Sequence, residues 1–84
     1  MLNKIEIEKF SCEDLLNASK IFYDKGNFKK CIKTLDTLKN KFSEEWNKGF
    51  HNLNNAKATC YIKIGKYNDA LDILNLVYKK YPNS

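Results

Sequence analysis

The chain has 84 residues, enough for one domain, and its 43% apolar and 13% aromatic content supplies a packed core and excludes wholesale disorder. The net charge of +5 comes from lysine alone, because none of the 15 basic residues is arginine. Arginine makes the usual bidentate contacts to phosphate and guanine, so its absence disfavours specific nucleic-acid binding.

The cysteines and the hydropathy pattern indicate a cytoplasmic protein. Cys12, Cys31 and Cys60 form an odd set without a C-x-x-C pair, which fits free thiols in a reducing compartment. The N-terminus has no signal-peptide core, and no apolar run approaches the roughly 18 residues of a membrane span. We therefore expect a cytoplasmic location and no membrane contact.

Residues 1–10 alternate in polarity around Ile5, Glu6 and Ile7. This pattern fits either a short extended arm or a frayed helical turn. The rest of the chain offers no second strand candidate with which such an arm could form a sheet. We predict an N-terminal arm over residues 1–10 and a single helical domain over residues 11–84.

Apolar residues recur at spacings of three and four along the rest of the chain, and this period predicts four helices. Ser11 has the chemistry of an N-cap for the first helix, while Gly26 and Gly65 mark short connections between antiparallel neighbours. Gly49 is placed to bend the third helix near its start. The predicted helices cover residues of about 12–24, 28–41, 44–64 and 67–81.

The last predicted helix has more apolar residues than one buried face needs. Its predicted core face comprises Tyr67, Ala70, Leu71, Leu74, Val77, Tyr78 and Tyr81. Ile73 and Leu76 widen that face, although their counterparts 39 residues earlier, Thr34 and Thr37, are polar. We therefore expect Ile73, Leu76 and Tyr78 to bind a second copy of the chain or a partner helix. The alternative is that the N-terminal arm folds back over this edge.

The chain repeats itself at an offset of 39 residues. The aligned pairs are Phe22 with Tyr61, Gly26 with Gly65, Phe28 with Tyr67, Cys31 with Ala70, Ile32 with Leu71, Leu35 with Leu74, Leu38 with Val77 and Phe42 with Tyr81. In each copy an aromatic residue is placed to close the hairpin, and a small residue lets the second helix approach the first.

This pattern resembles the tetratricopeptide repeat (TPR) family, whose unit is a helix pair of about 34 residues. The resemblance covers about residues 12–84. The residues at the family's spacing are Leu15, Ala18, Ser19, Phe22, Cys31, Leu35 and Leu38 in the first copy, and Ala58, Tyr61, Ala70, Leu74, Val77 and Pro82 in the second. Asn54 and Lys57 depart from it, because they occupy positions that are usually large and apolar in the family.

The resemblance implies an all-α fold of two stacked antiparallel helix hairpins, and a plain antiparallel four-helix bundle is the alternative. Such repeats usually bind a peptide or helix along the concave face formed by the first helix of each pair. Carried over by position, that face holds Asn17, Lys20, Tyr23, Asn52, Asn55, Thr59 and Lys63. The alternative is that these residues form an ordinary solvated surface.

The residues outside the repeat pattern do not suggest catalysis. His51 is the sole histidine and has no cysteine or carboxylate at metal-ligand spacing. Cys12 lies near a helix N-terminus, which could lower its pKa, but neither a base nor an oxyanion site accompanies it. The three glycines are too scattered for a phosphate loop. We therefore expect no enzymatic activity, no metal and no cofactor.

The sequence thus predicts a protein–protein interaction module, a small adaptor or chaperone-type subunit that binds a peptide or helix of a partner. We also expect it to form a homo-oligomer, as a dimer, through its last helix. A purely structural subunit whose partner is itself is a second reading. The competing class is a small basic helical protein that binds nucleic acid through Lys29, Lys30 and Lys33 of the second helix.

Overall fold

The computed structural model describes residues 9–80, and within that range it has five α-helices and no strand. The helices are α1 (Cys12–Asp24), α2 (Phe28–Lys41), α3 (Ser43–Lys48), α4 (Phe50–Lys63) and α5 (Tyr67–Lys80). The all-α prediction is confirmed. The predicted arm lies outside the described residues except for Lys9 and Phe10, and so does the predicted end of the last helix beyond Lys80.

The third predicted helix, 44–64, is two helices rather than one, because Gly49 separates α3 from α4. The ψ angle of Gly49 is 22°, well away from helical values, although its φ of −102° is ordinary. A Cβ at this residue would lie 2.9 Å from Cδ1 of Leu53, closer than side chains pack. The sequence indicated a bend here, and the structure shows that the helical run is interrupted for one residue.

The first helix begins at the predicted cap. The Ser11 hydroxyl accepts from the Asp14 backbone N–H at 3.2 Å, and the Asp14 carboxylate accepts from the Ser11 N–H at 3.4 Å. This reciprocal pair is a capping box, which satisfies backbone donors that the first turn leaves free. The acidic side chains of Glu13 and Asp14 also favour the positive end of the helix dipole.

The two hairpin turns have the same geometry, 39 residues apart. Gly26 and Gly65 have φ values of 76° and 82°, a left-handed conformation that glycine adopts without steric cost. The next residue donates back over the turn in both cases, Asn27 to the Phe22 carbonyl and Lys66 to the Tyr61 carbonyl, each at 2.8 Å. This bond closes a Schellman motif, which ends the first helix of each pair, and the short connection leaves the two helices antiparallel.

The core is centred on α2, which packs against both α1 and α4. Its seven buried members are Leu15, Cys31, Ile32, Leu35, Leu38, Trp46 and Cys60. Asp36 of α2 and Lys57 of α4 form an ion pair at the contact between the two hairpins. The α5 helix lies at the edge of the stack and packs chiefly against α4.

The two sequence positions that depart from the repeat pattern are both accommodated on α4. Asn54 is buried, and its side-chain amide donates to the Phe50 carbonyl at 2.8 Å, so its burial leaves no unsatisfied donor. The Lys57 side chain is only 12% exposed, and its ammonium is paired with Asp36. Both polar groups therefore have partners inside the helical stack.

Candidate protein-interaction surfaces

A groove of about 530 Å³ runs between α1 and α4, with α2 as its floor. Its lining residues are Glu13, Leu16, Asn17, Ser19, Lys20, Tyr23, Cys31, Leu35, Leu53 and Ala56. The antiparallel pairing of α1 with α2 and the stacking of α4 on α2 leave α1 and α4 on the same side of α2. We refer to this space as the α1–α4 groove.

The α1–α4 groove continues into a neighbouring depression of about 410 Å³, because Leu16 and Leu53 line both. Its lining residues are Cys12, Leu16, Leu38, Glu45, Lys48, Gly49, Asn52 and Leu53. The two spaces together have an apolar floor and a rim of mixed sign, with Glu13 and Lys20 on one and Glu45 and Lys48 on the other. Such a rim gives no preference for a strongly acidic or a strongly basic ligand.

The structure brings together part of the predicted concave face. Asn17, Lys20 and Tyr23 line the α1–α4 groove, and Asn52 lines the neighbouring depression. The other three predicted residues line neither space. These are Asn55 and Thr59, which are partly buried, and Lys63, which is exposed in the last turn of α4.

Sequence reasoning missed the apolar residues of the groove, Leu16, Leu53 and Ala56. The prediction followed the polar side chains of a lysine- and asparagine-rich surface, so it described the rim. The signal for the apolar walls was available in Leu16, an apolar residue outside the repeat positions of the first helix, Leu15, Ala18 and Phe22. It is 38% exposed in the structure.

A second surface lies on the outer face of α5, where four apolar side chains are exposed to solvent. We call it the α5 strip: Tyr67, Leu71, Leu74 and Tyr78, with exposed fractions of 66%, 55%, 39% and 63%. At 100° per residue these four fall within an arc of about 60° on the helix. Their predicted place in the core is wrong, because α5 buries only Ala70 and Val77.

The predicted self-association residues do not all belong to one surface. Leu76 and Tyr78 are both exposed, but two residues along a helix separate them by about 200°. Ile73 lies between the buried side and Leu76 and is partly buried. Tyr78 is thus in the α5 strip, and Leu76 is on the opposite flank of α5.

The comparison with known protein families agrees with the arrangement of antiparallel helix hairpins. Residues 56–84 match the sequence model of the tetratricopeptide repeat family, and this range holds α5 and the greater part of α4. The chain is a TPR-like helical repeat protein. No curated protein and no solved structure matches it. The matched range is the second copy of the internal repeat, the one whose turn begins at Gly65.

Cys12 lines the depression next to the α1–α4 groove, and its environment is the reverse of the one expected. Desolvation by burial raises the pKa of the Cys12 thiol, and the nearby Glu45 carboxylate raises it further. The helix N-terminus therefore does not activate this thiol, and its pKa shift lies in the wrong direction for a nucleophile. Cys31 and Cys60 are buried, and burial is also the main cause that raises their pKa values.

The described residues of this TPR-like chain also bear on metal binding, membrane insertion and nucleic-acid binding. Among residues 9–80, no three histidine, cysteine or acidic side chains come together in a way that could hold a metal ion. In the same range, no helix has the length and apolar content to cross a bilayer. On α2, Lys29 and Lys33 are exposed, whereas the Lys30 ammonium lies 5.8 Å from the centroid of the Phe22 ring.

Proposed function

We propose that this protein is a cytoplasmic, non-enzymatic interaction module that binds a peptide or helix of a partner protein in the α1–α4 groove. The observation that carries the proposal is the groove itself, an open apolar channel on the side of the stack formed by the first helix of each hairpin. Its volume of about 530 Å³ is in the range of sites that hold several side chains of a ligand. We also propose that the chain self-associates through α5.

The chemistry of the groove favours a segment with apolar anchors over a charged one. Leu16 and Leu53 are accessible on the two walls, and apolar ligand side chains gain free energy by covering them. Asn17 lies on the rim, where its amide can donate to a backbone carbonyl or accept from a backbone N–H. Glu13 and Lys20 stand seven residues apart on α1, about 10 Å, and their opposite charges can set the direction of a bound segment.

The test is selection of ligands from a peptide library displayed on phage, followed by binding measurements with two matched variants. Leu16→Lys places a charge on the groove wall, and we expect it to weaken the selected peptides at least tenfold. Ile21→Lys makes the same change on the same helix at an exposed site outside the α1–α4 groove, and we expect no change. Circular dichroism confirms that both variants keep their helices.

Two outcomes contradict the groove as the binding site. One is that Leu16→Lys and Ile21→Lys weaken the selected peptides equally. The other is that selection yields only acidic, salt-sensitive ligands that lose affinity with substitutions of Lys29 and Lys33. The second outcome would instead favour a basic surface on α2.

A further inference from the structure

We propose that α5 pairs with α5 of a second copy of this chain, antiparallel and about a two-fold axis, through the α5 strip. The inference rests on the proposed self-association and specifies its surface and its symmetry. It differs from the sequence prediction, because Leu76 is outside the contact and Tyr67, Leu71 and Leu74 are inside it.

The spacing of the α5 strip is the first argument. Its four residues read Tyr, Leu, Leu, Tyr at intervals of four, three and four, so the order is the same in both directions along the helix. A two-fold axis requires a surface to be complementary to itself. When two such helices meet antiparallel, Tyr67 faces Tyr78 of the other copy and Leu71 faces Leu74. A partner strip of matched size is therefore present in every copy of this chain.

The flank of the α5 strip is the second argument. The residues that border the strip on its solvent side are Asn68 and Asn75, both exposed and uncharged. Antiparallel pairing brings Asn68 of one copy close to Asn75 of the other, and each amide can both donate and accept. A chain with a net charge of +5 repels its copies, so an uncharged border favours approach at this place.

The contact between α2 and α4 within the chain argues against a different partner for the α5 strip, namely a helix of another protein that resembles α4. On α2 the helix α4 is held in part by the ion pair of Lys57 with Asp36. The residue of α5 at the repeat position of Asp36 is Asn75. An α4-like helix with its lysine would find no carboxylate there. The α5 strip is better matched to its own uncharged counterpart.

The area of the α5 strip sets the strength of the expected dimer. Tyrosine and leucine side chains offer on the order of 100–250 Å² each, so at their observed exposures the four contribute about 400 Å² per chain. A dimer would then bury about 800 Å² in total, less than the roughly 1,200 Å² of stable complexes. We therefore expect reversible dimers with a dissociation constant in the micromolar range or above.

The first experiment is sedimentation velocity of the natural chain and two variants over a wide range of concentrations. For the natural chain, we expect the average mass to rise from 9.8 kDa towards twice that value. Leu71→Lys is expected to raise the dissociation constant at least tenfold. Leu76→Lys is the matched control, an exposed leucine of the same helix (46%, against 55% for Leu71) on the opposite flank, and it should leave the dimer unchanged.

The second experiment tests the antiparallel order with charges on the uncharged flank. The double variant Asn68→Lys, Asn75→Glu should dimerise more tightly than the natural chain, because antiparallel pairing places opposite charges together. The double variant Asn68→Lys, Asn75→Lys should dimerise less tightly. In a parallel two-fold pair the two asparagine flanks would lie on opposite sides of the contact, so the two variants would dimerise about equally, and that result would overturn the proposed symmetry.

The outcomes separate this inference from the proposed function. Self-association that is insensitive to Leu71→Lys, or that is lost in Leu76→Lys, overturns the strip as the contact while self-association stands. A natural chain that stays monomeric at high concentration overturns both the strip and the proposed self-association. If such a monomer is also destabilised by Leu71→Lys, the strip is covered within the chain or is part of the fold. Peptide binding in the α1–α4 groove is measured separately and is not decided by any of these results.

Discussion

The helices α2 and α5 have the same place in their repeats, and they differ in what covers them. Ile32 and Leu35 of α2 are 8% and 1% exposed, whereas the aligned Leu71 and Leu74 of α5 are 55% and 39% exposed. The side chains are alike in size and polarity, so the difference lies in their surroundings. The helix α4 packs on α2, and among the described residues no helix packs on α5 in the same way. The pattern of a repeat therefore encodes a hairpin and leaves open whether its outer face is buried.

The hairpin turns of the two repeats also share a backbone geometry and differ in their side-chain contacts. Both have a left-handed glycine and the same hydrogen bond across it, so the backbone geometry is repeated faithfully. The aromatic contact is not repeated. Phe28 packs edge-to-face on Tyr23 with ring centroids 5.6 Å apart, whereas the residue aligned with Tyr23 is Ile62, and Tyr67, aligned with Phe28, is exposed. Two of the exposed residues of α5 thus follow from the loss of a neighbour: Tyr67 from the turn, and Leu71 from the stack.

The largest expected effect comes from removing the same side chain in the two helices. Leu35→Ala deletes a fully buried leucine, and we expect it to lower the free energy of unfolding by about 3 kcal/mol. Leu74→Ala deletes its half-exposed counterpart, and we expect a cost of about 1 kcal/mol. Urea unfolding followed by circular dichroism at low micromolar protein, where dimers are sparse, measures both.

Leu35→Ala and Leu74→Ala can overturn the conclusion that the outer face of α2 is covered and that of α5 is not. Equal costs at low protein concentration would mean that α5 is covered in the monomer. A cost of Leu74→Ala that grows with protein concentration would instead link its burial to self-association. The slope of the denaturant dependence should be unchanged in both variants, because neither alters the surface that unfolding exposes by more than a few atoms.

Much of this fold could be predicted from sequence, because it depends on local chemistry. The cap at Ser11, the glycine turns and the helical period each act within a few residues. The break at Gly49 and the exposure of the α5 strip depend on which helices meet, and that information is not local. A leucine at helical spacing looks the same whether or not a neighbour covers it. The apolar walls of the α1–α4 groove, with Leu16, Leu53 and Ala56, escaped prediction for the same reason.

Polarity in the first copy was also a poor guide to exposure. Thr34 aligns with the apolar Ile73, and this contrast was part of the sequence argument for an uncovered apolar edge on α5. In the structure Thr34 is fully buried, and its hydroxyl donates to the Lys30 carbonyl at 2.7 Å. A threonine on a helix can satisfy its hydroxyl from the preceding turn, so it can be buried at little cost. The exposed fractions of the α5 side chains therefore identify its uncovered apolar surface better than the sequence differences between α5 and α2 do.

The next expected effect concerns the ion pair that holds α4 on α2. Asp36→Asn leaves the Lys57 ammonium partly buried without its partner, and we expect a loss of about 1–2 kcal/mol of stability after allowance for the exposure of Asp36. Asn75→Ala, at the aligned position of α5, should change stability by less than about 0.5 kcal/mol. Both are measured by urea unfolding at low micromolar protein.

A double-mutant cycle decides whether the pair itself is responsible. Lys57→Met removes the ammonium but keeps the apolar stem, so the double variant Asp36→Asn, Lys57→Met should be more stable than Asp36→Asn alone. If the two single losses simply add, the carboxylate and the ammonium stabilise the stack independently, and the charged contact is not what distinguishes α2 from α5.

The smallest expected effect comes from Cys31, which aligns with Ala70 of α5. Burial, together with the neighbouring Cys60 thiol, raises the pKa of the Cys31 thiol from 9.0 to about 12. Between these values the unfolded chain loses the proton and the folded chain keeps it, so stability is complete below pH 9 and falls as the pH rises towards 12. At pH 10 we expect this thiol to reduce the free energy of unfolding by about 1 kcal/mol relative to pH 7.

The variant Cys31→Ala tests this expectation, because it places in the first repeat the alanine that the second repeat has at Ala70. In urea titrations under reducing conditions, the variant should lose less stability than the natural chain over this pH range, and an equal loss in both would show that Cys31 is not the titrating group. The buried Cys60 and the partly buried Tyr61, whose pKa values are also raised by desolvation, account for a residual loss in the same direction.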